Sequence, residues 1–207
     1  MKVLLINGSP KTNGNTSIAL DEMKKVFNEA GVETELFQIG GMNIHGCMAC
    51  NKCQESGRCV IDDVVNEFAG KLKEADGMVI GSPVYYGAAN GVLSAFLNRL
   101  FFSSSVSLDK TMKVGASVVI ARRGGAASTF DQLNKYFLSA GMPLAPSQYW
   151  NSVHGLIPGE VLEDEEGMQT MRTLARNMIF LMQSIALGKE KYGLPEKEAV
   201  TPTNFIR

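Results

Sequence analysis

Short apolar runs alternate with segments of helical periodicity along the chain. The apolar runs, which are bounded by glycine and polar residues, predict strands at residues 3–6, 32–39, 77–81, 113–121 and between 144 and 150. Apolar residues that recur every three or four positions predict helices at residues 17–30, 62–75, 91–102, 126–140 and 163–187. Because strands and helices alternate five times, the pattern predicts a parallel sheet with helices on both faces.

The expected strand order is 2-1-3-4-5, that of a five-stranded, flavodoxin-like three-layer sandwich. The chain has 207 residues, the size of one large domain. We expect a single domain over 1–207, with a cysteine-rich loop at 42–61 and a polar C-terminal tail at 188–207. Unusual loops follow strands one, three and four. Those strands are central in this order, so their loops are expected together at the carboxyl edge of the sheet, where ligands bind.

The loop after the first strand, residues 8–16, is rich in hydroxyl and amide side chains and leads directly into a helix. The first turn of a helix has free N–H groups and a positive dipole end, which together favour a bound phosphate. The candidate phosphate ligands are Ser9, Lys11, Asn13, Asn15, Thr16 and Ser17. An ordinary turn with a good helix cap is the alternative. The P-loop and dinucleotide signatures are absent, which disfavours nucleotide hydrolysis and leaves a phosphate monoester such as that of FMN.

Two further loops at this edge could hold a planar ring. Residues 83–87 combine a proline-fixed backbone with two adjacent tyrosines, and aromatic walls suit a flat ligand. Residues 122–125 provide positive charge, which stabilises a reduced, anionic flavin, and glycines that allow close approach. The candidate ring-binding residues are Pro83, Val84, Tyr85, Tyr86, Gly87, Arg122, Arg123, Gly124 and Gly125. A proline turn with one tyrosine in the core, and a solvated basic turn, are the alternatives.

Four cysteines lie within thirteen positions, at Cys47, Cys50, Cys53 and Cys59. Four thiolates can hold a [4Fe–4S] cluster, which is the favoured interpretation. The spacing differs from the bacterial ferredoxin run, because five residues precede the fourth cysteine and no proline follows it. A four-thiolate zinc site is the main competitor, and free or redox-active thiols are a third interpretation.

Composition narrows the class of partner. The net charge is −1 and no long basic run occurs, which argues against nucleic acid as the main partner. No apolar stretch approaches the ~18 residues of a membrane span, and the N-terminal apolar run is too short for a signal peptide. A cytoplasmic location is therefore expected. His45 and His154 are the only histidines, and no motif supports a hydrolase triad.

Three motifs together resemble a known family. Gly8–Thr16, Gly81–Tyr85 and Arg122–Gly125 are similar to the NADPH-dependent FMN reductase branch of the flavodoxin superfamily. With its compact cysteine cluster, the chain most resembles the iron–sulfur flavoproteins. Residues 148–151, 153–155 and 203–207 are also similar to this group.

The resemblance implies non-covalent FMN, with its phosphate on the first loop and its ring against the loops at 83–87 and 122–125. It also implies a [4Fe–4S] cluster on the four cysteines. A homodimer or homotetramer is implied, with the flavin near a subunit interface.

Two functions are compatible with these expectations. The first is an enzyme that takes hydride from NAD(P)H onto FMN and passes electrons to an acceptor. The second is an electron carrier that exchanges electrons with ferredoxin-like partners and has no small-molecule substrate. A flavoprotein whose cysteines bind zinc is a third, weaker interpretation. The sequence names neither the acceptor nor the preferred nicotinamide nucleotide.

Overall fold

The computed structural model describes residues 1–203 and 205. Its strands are β1 (Lys2–Asn7), β2 (Glu33–Gln38), β3 (Gly77–Tyr85), β4 (Ala88–Ala89), β5 (Val114–Ala121) and β6 (Ser152–His154). Its α-helices are α1 (Asn15–Glu29), α2 (Cys53–Ser56), α3 (Val64–Leu72), α4 (Gly91–Ser103), α5 (Ala126–Ser139) and α6 (Glu165–Tyr192). A 3-10 helix, Glu160–Glu163, precedes α6. No helix within these described residues is both long enough and apolar enough to span a bilayer.

Five parallel strands form the sheet in the order β2-β1-β3-β5-β6. This arrangement confirms the predicted 2-1-3-4-5 order of a flavodoxin-like fold. The described residues contain one further strand, β4, which has two residues and pairs antiparallel with the end of β3. The pattern of apolar and polar residues does not predict this strand.

Helices cover both faces of the sheet. On one face, α1 and α6 bury apolar side chains such as Met23 and Met178 against alternate residues of the central strands. On the other face, α3, α4 and α5 pack through residues such as Phe68, Phe96 and Phe137. Central strands buried on both faces carry near-continuous apolar runs, as Val3–Ile6 does.

The last parallel strand lies later than predicted. Leu144 makes an isolated bridge to Gly115, but regular pairing with β5 begins only at Ser152. Pro146 explains the interruption, because it has no N–H to donate to a sheet ladder. The chain leaves the sheet at Pro146 and rejoins it at Asn151, whose backbone carbonyl accepts a hydrogen bond from the Val119 N–H.

The helix ends also differ from the expected positions. Helix α1 begins two residues early, at Asn15, and α6 continues to Tyr192 instead of ending near residue 187. The expected tail at 188–207 therefore starts inside α6. Beyond the helix, Lys197 contacts Asp109. Within the motif at 203–207, Asn204, Ile206 and Arg207 lie outside the described residues.

Candidate functional site

The loops after β1 and β2 are joined to β3 and to the start of α4 at the carboxyl edge of the sheet. The Gly8 N–H donates to the Gly81 carbonyl over 2.8 Å. A Cβ atom on Gly40 would lie 2.1 Å from the Gly8 carbonyl oxygen, so only glycine allows this approach. The buried amide of Asn90 donates to the carbonyls of Gly8, at 2.8 Å, and Gly40, at 3.3 Å. Asn90 was not among the predicted site residues, although an asparagine before a helix indicates an N-cap.

The N-terminus of α1 presents open donors. Gly14 is its N-cap residue, and no side chain caps the helix. The first N–H that finds a backbone acceptor is that of Ile18, which donates to the Gly14 carbonyl. The N–H groups of residues 15–17 have no acceptor among the described residues, as expected for the first turn of a helix. This arrangement suits a bound anion.

The candidate phosphate ligands fall into two groups. The Ser9 hydroxyl oxygen accepts the Lys11 N–H at 3.2 Å, which leaves its own proton available. Thr16 is buried and its hydroxyl has no partner among the described residues, while Lys11 and Asn13 are exposed beside it. These four side chains retain a donor that could face a phosphate.

The other two candidates are engaged within the protein. The Asn15 amide donates to the Ile157 carbonyl at 3.0 Å and accepts the Gly159 N–H at 2.8 Å. The Ser17 hydroxyl donates to the Gly14 carbonyl at 2.8 Å. Only the backbone N–H groups of Asn15 and Ser17 therefore remain open. Asn15 instead holds the segment 155–159 beside the first turn of α1, a neighbour that the sequence analysis did not foresee.

The first candidate ring loop is a tight hairpin. Strand β3 continues through Tyr85, and β4 returns from Ala88. The two residues between them, Tyr86 and Gly87, have positive φ angles of 52° and 74°, the mark of a type I′ turn. Both Tyr85 and Tyr86 are exposed, so neither enters the core. Their side chains are accessible at this edge of the sheet.

The second candidate ring loop packs against that hairpin. Gly125 has a φ of 89°, and a Cβ there would lie 2.8 Å from Val84 and 2.9 Å from Gly87. The Ser128 hydroxyl also donates to the Gly87 carbonyl at 2.6 Å. Arg122 and Arg123 are exposed and make no ion pair within the described part of the chain. The structure thus brings the two predicted ring loops into contact.

All four cysteines line a single pocket beside α4. Cys53 is buried at the start of α2, Cys59 is half-buried, and Cys47 and Cys50 are exposed. The residues on either side of Cys50, Ala49 and Asn51, both adopt left-handed backbone conformations, with φ of 53° and 58°. Such unusual conformations concentrate at functional sites. Left-handed residues can also turn N–H groups inward to form concave sites for anions, including Fe–S centres.

The thiols surround the pocket but do not converge on one point. Among the described residues, no group of three or more His, Cys, Asp or Glu side chains is arranged to hold a single metal ion. The pocket wall between the thiols is mostly apolar and includes Met48, Val60 and Phe102.

A buried arginine, which was not among the predicted site residues, contacts the fourth cysteine. The Nε and one terminal nitrogen of Arg99 each lie 3.3 Å from Cys59 Sγ. The same guanidinium pairs with Asp63 at 2.6 Å. Burial acts to lower the pKa of Arg99, but the hydrogen bonds with Asp63 and Cys59 outweigh it and raise that pKa. Arg99 therefore stays charged beside the cysteine pocket.

The chain is similar in sequence to known proteins. Residues 1–156 match the family described as NADPH-dependent FMN reductase. An iron-sulfur flavoprotein of Methanocaldococcus jannaschii is 33% identical over 192 residues, which cover 89% of this chain and 99% of that protein. An iron-sulfur flavoprotein of Methanosarcina thermophila is 30% identical over 196 residues, which cover 92% of this chain and 100% of that protein.

Solved structures share the fold at lower identity. The NAD(P)H:quinone oxidoreductase of Methanothermobacter marburgensis has a TM-score of 0.61 and 16% identity, covering 86% of this chain and 94% of that one. A Streptococcus flavodoxin has a TM-score of 0.55 and 15% identity, covering 86% of this chain and 97% of that one. Both confirm the flavodoxin-like fold. Because the family match covers more than half of the chain, this protein belongs to the NADPH-dependent FMN reductase family and is an FMN-binding flavin oxidoreductase.

Proposed function

We propose that this protein takes electrons from NAD(P)H, passes them through FMN and a [4Fe–4S] cluster, and delivers them to an electron acceptor. The four cysteines that line one pocket carry the proposal, because an Fe–S cubane takes four thiolates. The names of the relatives in Methanocaldococcus jannaschii and Methanosarcina thermophila support it.

The phosphate of FMN would bind at the start of α1. The open N–H groups of residues 15–17 and the helix dipole would hold it there. The hydroxyls of Ser9 and Thr16, the amide of Asn13 and the ammonium of Lys11 would complete the contacts. One cationic side chain and several neutral donors suit a single terminal phosphate better than a triphosphate.

The ring of FMN would lie against the hairpin at 83–87 and the loop at 122–125. Arg122 and Arg123 would place positive charge near the flavin and favour its reduced, anionic form. The contact between Gly125 and the hairpin fixes the two loops to each other, so they would present one continuous wall. The exposed Tyr85 and Tyr86 would bound the face that a nicotinamide approaches.

The cluster would bind to Cys47, Cys50, Cys53 and Cys59. Together, a flavin and a cluster supply the conversion of a two-electron donor into one-electron steps. Helix α4 connects the two regions, since Asn90 at its N-cap bonds to the phosphate-loop backbone and Arg99 contacts Cys59. Nine residues at about 1.5 Å per residue separate them by about 14 Å along the helix axis. We expect the cluster to lie within electron-transfer reach of a flavin in the same or a neighbouring subunit.

The test is anaerobic reconstitution with FMN, iron and sulfide, followed by counting of each per chain. We expect one FMN and about four irons, with an EPR signal after dithionite reduction. Cys50→Ala should lose the iron and keep FMN, whereas Met48→Ala, in the same loop, should keep both. One zinc per chain with no iron uptake would contradict the cluster, and release of FAD would contradict FMN.

The electron donor is tested separately. Stopped-flow absorbance should show rapid bleaching of the bound flavin by NADH or NADPH without a partner protein. Slow bleaching by both nucleotides, with rapid reduction by reduced ferredoxin, would instead assign the protein as an electron carrier. Apolar side chains around the cysteine pocket, such as Met48 and Val60, are exposed and would suit such a protein partner.

We further propose that the protein is a homodimer or homotetramer. Large apolar side chains are exposed on the surface of α6 and on the segment before β6, among them Tyr149, Trp150, Phe180, Leu187 and Tyr192. Exposed apolar groups of this kind mark contact surfaces when they are contiguous. Light scattering should give a mass at least twice that of one chain at micromolar concentration, and a monomer mass would contradict the assembly.

A further inference from the structure

Arg99 is the largest of the fully buried side chains, with 1% exposure. It lies in α4, among apolar residues that face the sheet. Its guanidinium donates to Asp63 over 2.6 and 2.9 Å and to the Ile61 carbonyl over 2.9 Å. A further contact joins it to the His45 carbonyl at 3.4 Å. Every one of these partners lies between residues 45 and 63, in the cysteine-rich loop or directly after it.

Two of its donors point at one sulfur. The Nε and a terminal nitrogen of Arg99 both lie 3.3 Å from Cys59 Sγ. The terminal nitrogen also donates to Asp63 and to the Ile61 carbonyl, whereas the only acceptor of Nε among the described residues is Cys59 Sγ. The planar fork of arginine allows it to hold the carboxylate and the sulfur at the same time.

The other three cysteines have no comparable donor among the described residues. The nearest case is Cys53, whose sulfur lies 3.8 Å from the neutral amide of Gln54. Cys59 is thus the sulfur that a buried positive charge contacts. Hydrogen bonds to the ligating sulfurs and local net charge are among the factors that set the potential of an Fe–S centre.

We propose that Arg99 positions Cys59 as a cluster ligand and raises the reduction potential of the cluster, an inference that rests on the proposed function. The four cysteines would hold the cluster, which would supply one-electron transfer. Reduced FMN would lose one electron, the cluster would gain it, and no bond would form or break at the cluster. Part of the added negative charge would reside on the ligating sulfurs. Two N–H donors from a cation stabilise that charge more in the reduced state than in the oxidised state. Partners that surround metal ligands commonly tune them in this way.

Three variants of the reconstituted protein test the role by EPR-monitored redox titration. Arg99→Met removes the donors and the charge, and should shift the one-electron equilibrium about tenfold towards the oxidised cluster, or about 59 mV lower in potential. Asp63→Asn keeps the contact with Cys59 and the cap of α3, but leaves the charge of Arg99 unopposed, so the potential should rise. Arg58→Met removes an equal charge from an exposed side chain next to Cys59 and should leave the potential unchanged.

A lower reduction potential in Arg99→Met together with a higher one in Asp63→Asn supports the role. Both changes break the same ion pair, so the loss of a purely structural contact would not shift the two potentials in opposite directions. Equal potentials in Arg99→Met and Arg58→Met would overturn it while the cluster itself stands. If Arg99→Met loads no iron, Asp63→Asn decides: an unchanged potential overturns the role and a raised one supports it. Wild-type protein that takes up no iron would overturn the cluster first, which the iron count distinguishes from a failure of Arg99.

Discussion

The side-chain amide of Asn90 donates to the carbonyl oxygen of Gly8 over 2.8 Å, across 82 positions of the sequence. The same amide reaches the Gly40 carbonyl, and its oxygen accepts the Val92 N–H to cap α4. One buried side chain therefore fixes the ends of β1 and β2 to the start of a helix. The shape of the candidate phosphate loop depends on this contact.

Asn90→Asp should separate the cap from the loop contact. Aspartate still caps α4, but it has no donor for Gly8 and Gly40 and brings a negative charge towards their oxygens. We expect a loss of about 1–3 kcal/mol in unfolding free energy, the cost of buried unpaired groups, and at least tenfold weaker FMN binding. Urea unfolding and flavin-fluorescence titration measure the two effects. Asn98→Asp, an exposed change in the same helix, should alter neither.

Gly40→Ala should disrupt the same loop by crowding. The added Cβ would lie 2.1 Å from the Gly8 carbonyl oxygen and 2.4 Å from the Ser9 carbonyl carbon, and both are backbone atoms that cannot move aside cheaply. We expect about 1–3 kcal/mol lower stability and loss of tight FMN binding. Gly70→Ala is the matched control, because nothing lies within 4 Å of its added Cβ. If the two variants bound FMN equally well, Gly40 would have no role in shaping the loop.

The order of the sheet could be predicted because it depends on local patterns. The apolar run at Val3–Ile6, the helix that follows it and the repeated alternation are visible within short windows of sequence. The last strand could not be located, because Ser152–His154 is short and carries only one apolar residue. Its pairing depends on where Pro146 forces the chain to leave β5.

The sequence predicts which loops form the candidate site, but not the side-chain contacts within it. The phosphate loop, the two ring loops and the cysteines all carry unusual composition. Arg99 occupies a helix position next to Leu100, where nothing local distinguishes a buried arginine from a surface one. Its partners Cys59 and Asp63 lie 40 and 36 positions away. Only the folded chain brings them together.

Tyr86 should lower the stability of the protein and promote reduction of the flavin. It occupies a left-handed position of the type I′ turn, which costs most residues about 1–2 kcal/mol but suits asparagine. Tyr86→Asn should therefore raise the melting temperature by about 2–4 °C. It should also slow flavin reduction by NAD(P)H, because the exposed ring would be lost from the edge of the proposed site. Leu138→Asn, an exposed change near the end of α5, should leave the reduction rate unchanged. A Tyr86→Asn variant with normal reduction kinetics would contradict the role of the ring.

The ion pairs of Glu22 should make the free energy of unfolding vary with pH in the acid range. Its carboxylate joins α1 to α6, pairing with Lys25 at 2.9 Å and Arg172 at 2.7 Å. The hydrogen bond with Lys25, supported by Arg172 and opposed by burial, lowers the pKa of Glu22 below its ordinary value of 4.5. Because the folded pKa is depressed, the stabilisation is fully present above about pH 4.5 and is lost as the pH falls through the lower folded pKa.

Glu22→Gln should therefore be about 1 kcal/mol less stable than the wild type at pH 7, and the difference should shrink below pH 4. Urea unfolding at several pH values measures the gap. A gap for Glu22→Gln that stayed constant with pH would show that the ion pairs do not lower the pKa of this carboxylate in the folded state.

Thr16 and Ser17 are neighbouring hydroxyls with different predicted roles. The Ser17 proton is donated to the Gly14 carbonyl, whereas the Thr16 hydroxyl has no partner among the described residues. Thr16→Val keeps a side chain of the same shape, including the methyl that faces Gly81. It removes only the donor proposed for the phosphate.

We expect Thr16→Val to weaken FMN binding by about 1.5–3 kcal/mol, the value of a hydrogen bond to a charged group. Ser17→Ala should change FMN affinity far less, because its hydroxyl proton is already engaged by the protein. Isothermal titration with FMN and with riboflavin, which lacks the phosphate, separates a phosphate contact from a general change in the pocket. Riboflavin affinity should be the same in wild type and Thr16→Val. If Thr16→Val weakened the binding of both flavins equally, the Thr16 hydroxyl would not bind the phosphate. The backbone N–H groups of α1, together with Ser9, Asn13 and Lys11, would then hold the phosphate.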